Sequence, residues 1–365
     1  MTKRTWLGGI SVGDGQDVAV AGALNVSPES FYDGSVVIQA DHLLRAAEAM
    51  TRAGAAFVDV GAMSTAPYLA ARIPESQEAD RLAWAIDLLV KKLDLPISAD
   101  TSRSLPARAA LAAGARIIND VTGLTGDPQM ARLAGRAGVG LILMASEASN
   151  REDRAAGRRG AGAPASERGG QGSASRRTAR GWGPGVRGEQ SGRSSRRTAR
   201  GWGPGVRGEQ SGRSSRGTAR GWGPGVRGEQ IPGSGDPIEI VRALLEESIG
   251  IARAAGIDPS LIVVDPGIGF FRNQDMAWHE WDCQVLARLH EVRELGWPVC
   301  VGVSRKSFIG AVAGEEDPTR RLPGSLSATA VAVLGGAHII RTHDVEETVQ
   351  AVRVAEAIRR ARQRT

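Results

Sequence analysis

LIVVDPGIGF, residues 261–270, sets four apolar residues in a row, ends them on the carboxylate of Asp265 and breaks the run at Pro266 and Gly267. A stretch this short, apolar throughout and closed by turn residues reads as a strand buried on both faces. Working outward, the same construction recurs at 18–25, 56–61, 96–100, 116–120, 139–144, 298–303 and 337–341, which with 261–265 makes eight runs. Between them lie amphipathic stretches rich in Ala, Leu and Arg, with helical period, at 41–53, 75–93, 104–113, 128–137, 237–255, 276–295, 324–334 and 344–362. Apolar strands alternating with helices require a parallel sheet. Eight such units predict an α/β chain folded as a closed (β/α)8 TIM barrel rather than an open doubly wound sheet. No GxGxxG follows the first run, so nothing points to dinucleotide binding.

One segment breaks the rhythm. Residues 177–196 read RTARGWGPGVRGEQSGRSSR, 197–216 repeat them unchanged, and 217–230 give a truncated third copy. Each unit has one Trp and one Val among Gly, Arg and Ser, too little apolar surface for stacked copies to offset the entropy of ordering them. Disorder is therefore predicted over 146–235, as an insertion in the loop after the fifth barrel strand. Residues 1–145 and 236–365 then make a single barrel domain. The net charge of +6 and the pI near 10 belong to the insertion. Residues 151–230 hold 18 Arg and no Lys against 6 acidic residues, +12, and the other 285, with 28 basic and 34 acidic groups, carry −6. An Arg-rich arm that binds nucleic acid through charge and Trp stacking is the alternative, but one Trp per repeat is sparse for that work, and no nucleic-acid partner is expected.

With 41% hydrophobic and 24% charged residues the composition is that of an ordinary globular chain and excludes overall disorder. The N-terminus carries no apolar signal core, and no run of about eighteen apolar residues follows, so no membrane partner and a cytoplasmic location are expected. Cys283 and Cys300 are the only cysteines and form no CxxC pair. That argues against a disulfide framework or a thiolate zinc site, and both are expected to be small buried residues.

In a barrel the strand ends converge on one face, where residues remote in sequence meet. The tips read Asn25; Asp59 with Ser64 and Thr65; Asp100; Asn119; Met144; Asp265; Ser304, Arg305 and Lys306; and Arg341 with His343. Taken singly, each has a bland explanation: an Asp that ends a strand is commonly a turn former or a helix N-cap, and Asn119-Asp120 could be that alone. Polar groups at nearly every tip are costly without a ligand, and together they indicate a binding site.

Seven phrases carry a resemblance: LNVSPESFYDGS at 24–35, DVGAMSTAPY at 59–68, ADTS at 99–102, IIND at 117–120, DPGIGF at 265–270, GVSRKS at 302–307 and RTHD at 341–344. In this order they resemble the dihydropteroate synthases, pterin-binding barrel enzymes that condense 6-hydroxymethyl-7,8-dihydropterin pyrophosphate with 4-aminobenzoate, releasing pyrophosphate on the way to folate. The resemblance covers the chain apart from the insertion. It implies a transferase whose pterin pocket is formed by Asp100, Asn119, Asp265 and Lys306, lined by Met144 and Phe270, with Lys306, Asp100 and Asp265 as the catalytic set. It places Asn25, Asp33, Thr65, Arg341 and His343 at the pyrophosphate and Phe31, Thr65 and Ser304 on the aminobenzoate side. Phe31 and Tyr32 fall in a mobile loop. It further implies Mg²⁺ linked to Asn25, and a homodimer. Carboxylates and a carboxamide suit the amino and amide edge of a pterin, and cations with a hydrated Mg²⁺ suit a diphosphate leaving group.

The sequence departs from the family at Ala66, where an arginine encloses pyrophosphate and the aminobenzoate carboxylate, and at Arg272, where a lysine is common. The NVSPESFY and STAPY wording resembles archaeal-type members, which leaves open a ribosylated aminobenzene phosphate as the amine. A methyltetrahydropterin-dependent corrinoid methyltransferase shares the barrel but has no need of the SRK and RTHD residues.

Overall fold

The computed structural model describes residues 4–26, 36–63, 73–146, 235–272 and 274–362. Two short strands, β1 (Thr5–Leu7) and β2 (Ile10–Val12), form an antiparallel hairpin. Eight more form one parallel sheet: β3 (Ala19–Asn25), β4 (Phe57–Gly61), β5 (Ile97–Asp100), β6 (Ile117–Asp120), β7 (Gly140–Met144), β8 (Ile262–Asp265), β9 (Cys300–Gly302) and β10 (Ile339–Thr342). The order is β8-β7-β6-β5-β4-β3-β10-β9. A parallel bridge between Val264 and Val299, with the Val264 amide donating to Pro298 O at 2.9 Å, closes the ring. The expected TIM barrel is thus present, and each strand lies within two residues of its expected bounds.

Around it stand α1 (Val36–Arg52), α2 (Glu75–Val90), α3 (Ser104–Ala112), α4 (Met130–Ala137), α5 (Pro237–Ala254), α6 (Trp278–Ala287), α7 (Leu289–Arg293), α8 (Ser307–Ala313), α9 (Leu322–Leu334) and α10 (Val345–Arg362). No described helix is long and apolar enough to cross a membrane.

The strands are apolar throughout because alternate residues serve two cores. Val58, Val60, Ile97 and Ala99 face the helices with Leu82, Ile86 and Leu89, while Ile118, Leu141, Leu143, Ile262 and Val264 do so on the other side of the ring. The opposite parity, Ala21, Phe57, Ile117, Ile142, Val263, Cys300 and Ile339, packs inside the barrel together with Leu7 and Val12. The hairpin is therefore the plug of the N-terminal end. Leu7 is fully buried, Thr5 Oγ1 donates to Ile262 O at 3.1 Å, and a Cβ on Gly140 would come within 2.8 Å of the Leu7 side chain. Two residues further along, the same inward parity carries Asp59, Asn119, Met144, Asp265, Gly302 and Arg341. The lumen changes there from an apolar floor to a polar mouth.

Several expectations are corrected. The helix expected over 276–295 breaks at Arg288 (φ −107°, ψ 23°), whose guanidinium grips Asp236 (2.7 and 2.8 Å) and Glu291 (2.6 and 2.9 Å). The plug hairpin and α8 are additions, both too short to show a period. Cys300 is buried as expected, but Cys283 is exposed: it follows Trp281 and Asp282, which occupy the inner face of α6, and so falls on the outer one. The disorder expected over 146–235 concerns residues that, apart from Ser146, which is buried, and Gly235, which is exposed, lie outside those described.

Candidate active site

At the C-terminal ends of the strands lies a cavity of about 440 Å³. Asn25, Asp100, Asn119, Met144, Asp265, Phe270, Ser304, Lys306, Arg341 and His343 all line it. Strand register accounts for the convergence: Asp100 lies opposite Asn119, Met144 opposite Asp265 and Arg341 opposite Gly302. Gly61 pairs with both Asn25 and Asp100. A Cβ at Gly61 would lie 3.1 Å from Asn25 Oδ1 and 3.6 Å from Asp100 Cβ, so the glycine keeps a slot open between those two side chains. Phe31, Tyr32, Asp33, Thr65 and Ala66 lie outside the described residues.

Arg341 spans the mouth of the barrel. Its Nε donates to Asp59 Oδ2 at 2.6 Å and its Nη2 to Asp100 Oδ2 at 2.8 Å, while Asn119 Nδ2 donates to the same Asp59 oxygen at 3.0 Å. Asp100 Oδ1 is buried without a hydrogen-bond partner. Across the cavity Asp265 Oδ1 accepts the Gly267 amide at 2.8 Å; Gly267 itself is left-handed (φ 73°), and a Cβ there would lie 2.0 Å from Ala145 O.

Lys306 leaves a turn in which Arg305 takes a left-handed conformation (φ 55°), a strain of about 1–2 kcal/mol for a residue with a Cβ. Ser325 Oγ offsets it by accepting the Arg305 amide at 2.8 Å, and Asp344 holds the guanidinium at 2.9 Å. Lys306 Nζ donates to Ile268 O and lies 4.6 Å from the centre of the Phe270 ring. Gly269 sits so close that a Cβ there would meet Lys306 Cδ at 2.8 Å, and its amide donates to buried Asp282 at 2.8 Å. Ser304 Oγ bonds His343 Nδ1 at 3.0 Å.

Burial, reinforced by Asp59 and opposed by Arg341, raises the Asp100 carboxyl to about 7. Burial also raises Asp265, against the Gly267 amide and Lys306. Desolvation outweighs Asp265 and pulls the Lys306 ammonium down to about 8. His343 is held below its ordinary value by desolvation and then by the nearby Arg341, so its imidazole is neutral. The cavity thus sets oxygen acceptors and cations side by side, Arg341 against Asp100 and Lys306 near Asp265. A flat ring carrying N–H donors beside a carbonyl, with an anionic substituent, fits both.

The sequence reading had placed Asp59 at a tip without giving it a task; its signal was its inward parity with Gly61. Asp120, left open as a turn former, is one: it accepts the Thr122 and Leu124 amides at 2.8 and 2.9 Å. Asp282 and Ser307 gave no signal, because each acts through a contact remote in sequence. Ser307 Oγ accepts from Arg272 at 2.7 Å, and the Arg272 guanidinium stacks 4.1 Å from the Trp278 ring centre. Among the described residues no group of three or more His, Cys, Asp and Glu could hold a metal ion.

A parallel barrel with a carboxylate- and amide-lined mouth defines a class, and sequence comparison agrees: the chain belongs to the family of pterin binding enzymes, whose model matches residues 21–171 and 227–343. Relatives that it matches over nearly its whole length include dihydropteroate synthases. The one from Mycobacterium leprae is 31% identical, covering 93% of each chain. The one from Synechocystis is 29% identical, covering 94% of this chain and 91% of the other. Among solved structures, the dihydropteroate synthase of Xanthomonas albilineans with 4-aminobenzoic acid superposes with a TM-score of 0.68 at 27% identity, covering 98% of both chains.

Proposed function

We propose that this chain is a dihydropteroate synthase, a transferase of folate biosynthesis that joins 6-hydroxymethyl-7,8-dihydropterin pyrophosphate to 4-aminobenzoate, giving 7,8-dihydropteroate and pyrophosphate. The observation that carries the reading is the meeting of Asp100, Asn119, Asp265 and Lys306, from four parts of the barrel, around one cavity. The full-length likeness to dihydropteroate synthases supports it.

In this reading the amino and amide edge of the pterin lies on Asp100, Asn119 and Asp265, whose oxygens accept its N–H groups. Lys306 donates to the ring, and Met144 and Phe270 hold its faces. As the carbon–oxygen bond to pyrophosphate breaks, positive charge grows on the pterin methylene. Carboxylates fixed nearby stabilise it without having to reorganise. The amine then forms the carbon–nitrogen bond and gives up a proton. Arg341 and His343, with Asn25, Asp33 and Thr65, serve the pyrophosphate, while Ser304, Phe31 and Thr65 serve the aminobenzoate. Asn25 offers one neutral amide oxygen, which suits Mg²⁺ that takes its other oxygens from diphosphate and water. When bound, the Mg²⁺ neutralises charge on the leaving group. We infer a cytoplasmic homodimer, for which the exposed Val331, Val354 and Ile358 on α9 and α10 are suited.

Ala66 leaves the choice of amine to experiment. The chain is incubated with Mg²⁺, the pterin pyrophosphate and either 4-aminobenzoate or its ribosyl-phosphate counterpart. Pyrophosphate release with a product of the mass of dihydropteroate is expected with 4-aminobenzoate. Turnover only with the second amine assigns the archaeal-like variant, and condensation with neither overturns the synthase reading.

A further inference from the structure

We propose that Asp59, a residue that does not line the cavity, determines which edge of a ring the cavity can read, by fixing the orientation of the Asn119 amide. Asp59 lies on β4, and the two residues it holds lie two strands away on opposite sides, Asn119 on β6 and Arg341 on β10. One oxygen, Oδ2, accepts from both, at 3.0 and 2.6 Å, in a position that is 1% exposed. The inference rests on the pterin reading of the site.

A carboxamide is nearly symmetric in shape, so packing alone cannot choose between its two flips; its hydrogen-bond partners must. A carboxylate only accepts. Asn119 must therefore turn its amino group to Asp59, which leaves Oδ1, without a hydrogen-bond partner among the described residues, for the cavity. Asp100 contributes a second such oxygen, because Arg341 occupies its Oδ2 and leaves Oδ1 unpartnered. With Asp100 ionised, the wall is thereby made acceptor-only. A ring presenting an amino group is bound, whereas one presenting a carbonyl in its place meets oxygen with oxygen and leaves buried groups unpaired. Asp59 is in this sense a positioning residue that acts through Asn119.

The test measures a ratio rather than an affinity. The full chain and its Asp59→Asn, Asp59→Ala and Asn119→Ala variants are titrated calorimetrically with 6-hydroxymethylpterin and with 6-hydroxymethyllumazine, in which an oxo group replaces the 2-amino group. The wild type is expected to prefer the pterin by roughly 100-fold, the scale set by unpaired buried polar groups. Asn119→Ala should abolish most of that preference. Asp59→Ala, which leaves the Asn119 amide free to flip, should narrow it about tenfold, whereas Asp59→Asn, whose amide oxygen the donor-only Arg341 holds at the position of Oδ2, should keep the preference. If Asp59→Ala fails to fold, Asp59→Leu, which keeps the volume and offers no acceptor, decides. Parallel weakening of both ligands with the ratio unchanged in Asp59→Ala or Asp59→Leu would mean that Asp59 is only structural, and it overturns the proposal. If the wild type binds neither ring, the pterin reading itself falls, and this inference with it.

Discussion

Two ionisable groups set the working range of the cavity. Asp100 is an acceptor-only anion when ionised, above about 7, and Lys306 is a cation only below about 8. For the free protein, kcat/KM should therefore follow a narrow bell, rising through about 7 and falling through about 8; the two limbs belong to the coupled set rather than to either residue alone. Asp100→Asn should flatten the acid limb, and a profile that keeps it would reassign that limb to another group. Asp100→Ala and Lys306→Ala should each lower kcat/KM by roughly 10²- to 10³-fold, the scale of removing one oriented partner from a site built for developing charge. Circular dichroism should show both variants folded, since their side chains project into a cavity rather than into the apolar layers.

At the level of elements, the hairpin β1–β2 and the strand tips occupy opposite ends of one lumen. Leu7 covers the inward residues Phe57, Ile117, Ile142 and Ile339, so Leu7→Ala should cost about 2–5 kcal/mol in a urea titration. Turnover per folded molecule should stay as it is, because the plug is remote from the cavity; a large fall in kcat with unchanged stability would contradict the division of labour. The break at Arg288 belongs to the same scale. A continuous helical period had implied one helix, but bidentate pairing with Asp236 and Glu291 holds Arg288 off helical geometry.

For the molecule as a whole, barrel closure is what makes a site. Neither the cavity nor its charge pattern exists until β8 meets the segment ahead of β9 through Val264 and Val299. The repeat segment enters between β7 and α5, a loop position where barrels accept additions. Replacing residues 151–230 with a short Gly/Ser linker should leave kcat/KM within about threefold, since every described cavity residue lies outside that span. A loss of condensation would show that the repeats take part in the reaction.

The eight apolar runs, their alternation with helices and the polar residues at nearly every strand tip are local patterns, and they were enough to specify a barrel and to name most of its mouth, from Asn25 to His343. They suffice because strand parity is a property of neighbouring residues. What the chain alone did not show is how those residues divide the work among themselves. That Asp59 holds Asn119 and Arg341 at once, that Asp282 secures Gly269, and that Thr5 and Leu7 seal the far end depend on atoms brought together from 13 to nearly 300 positions apart. Such contacts form only when the sheet closes, because hydrogen bonds of that range are set by register around the ring and leave no periodic trace in the sequence.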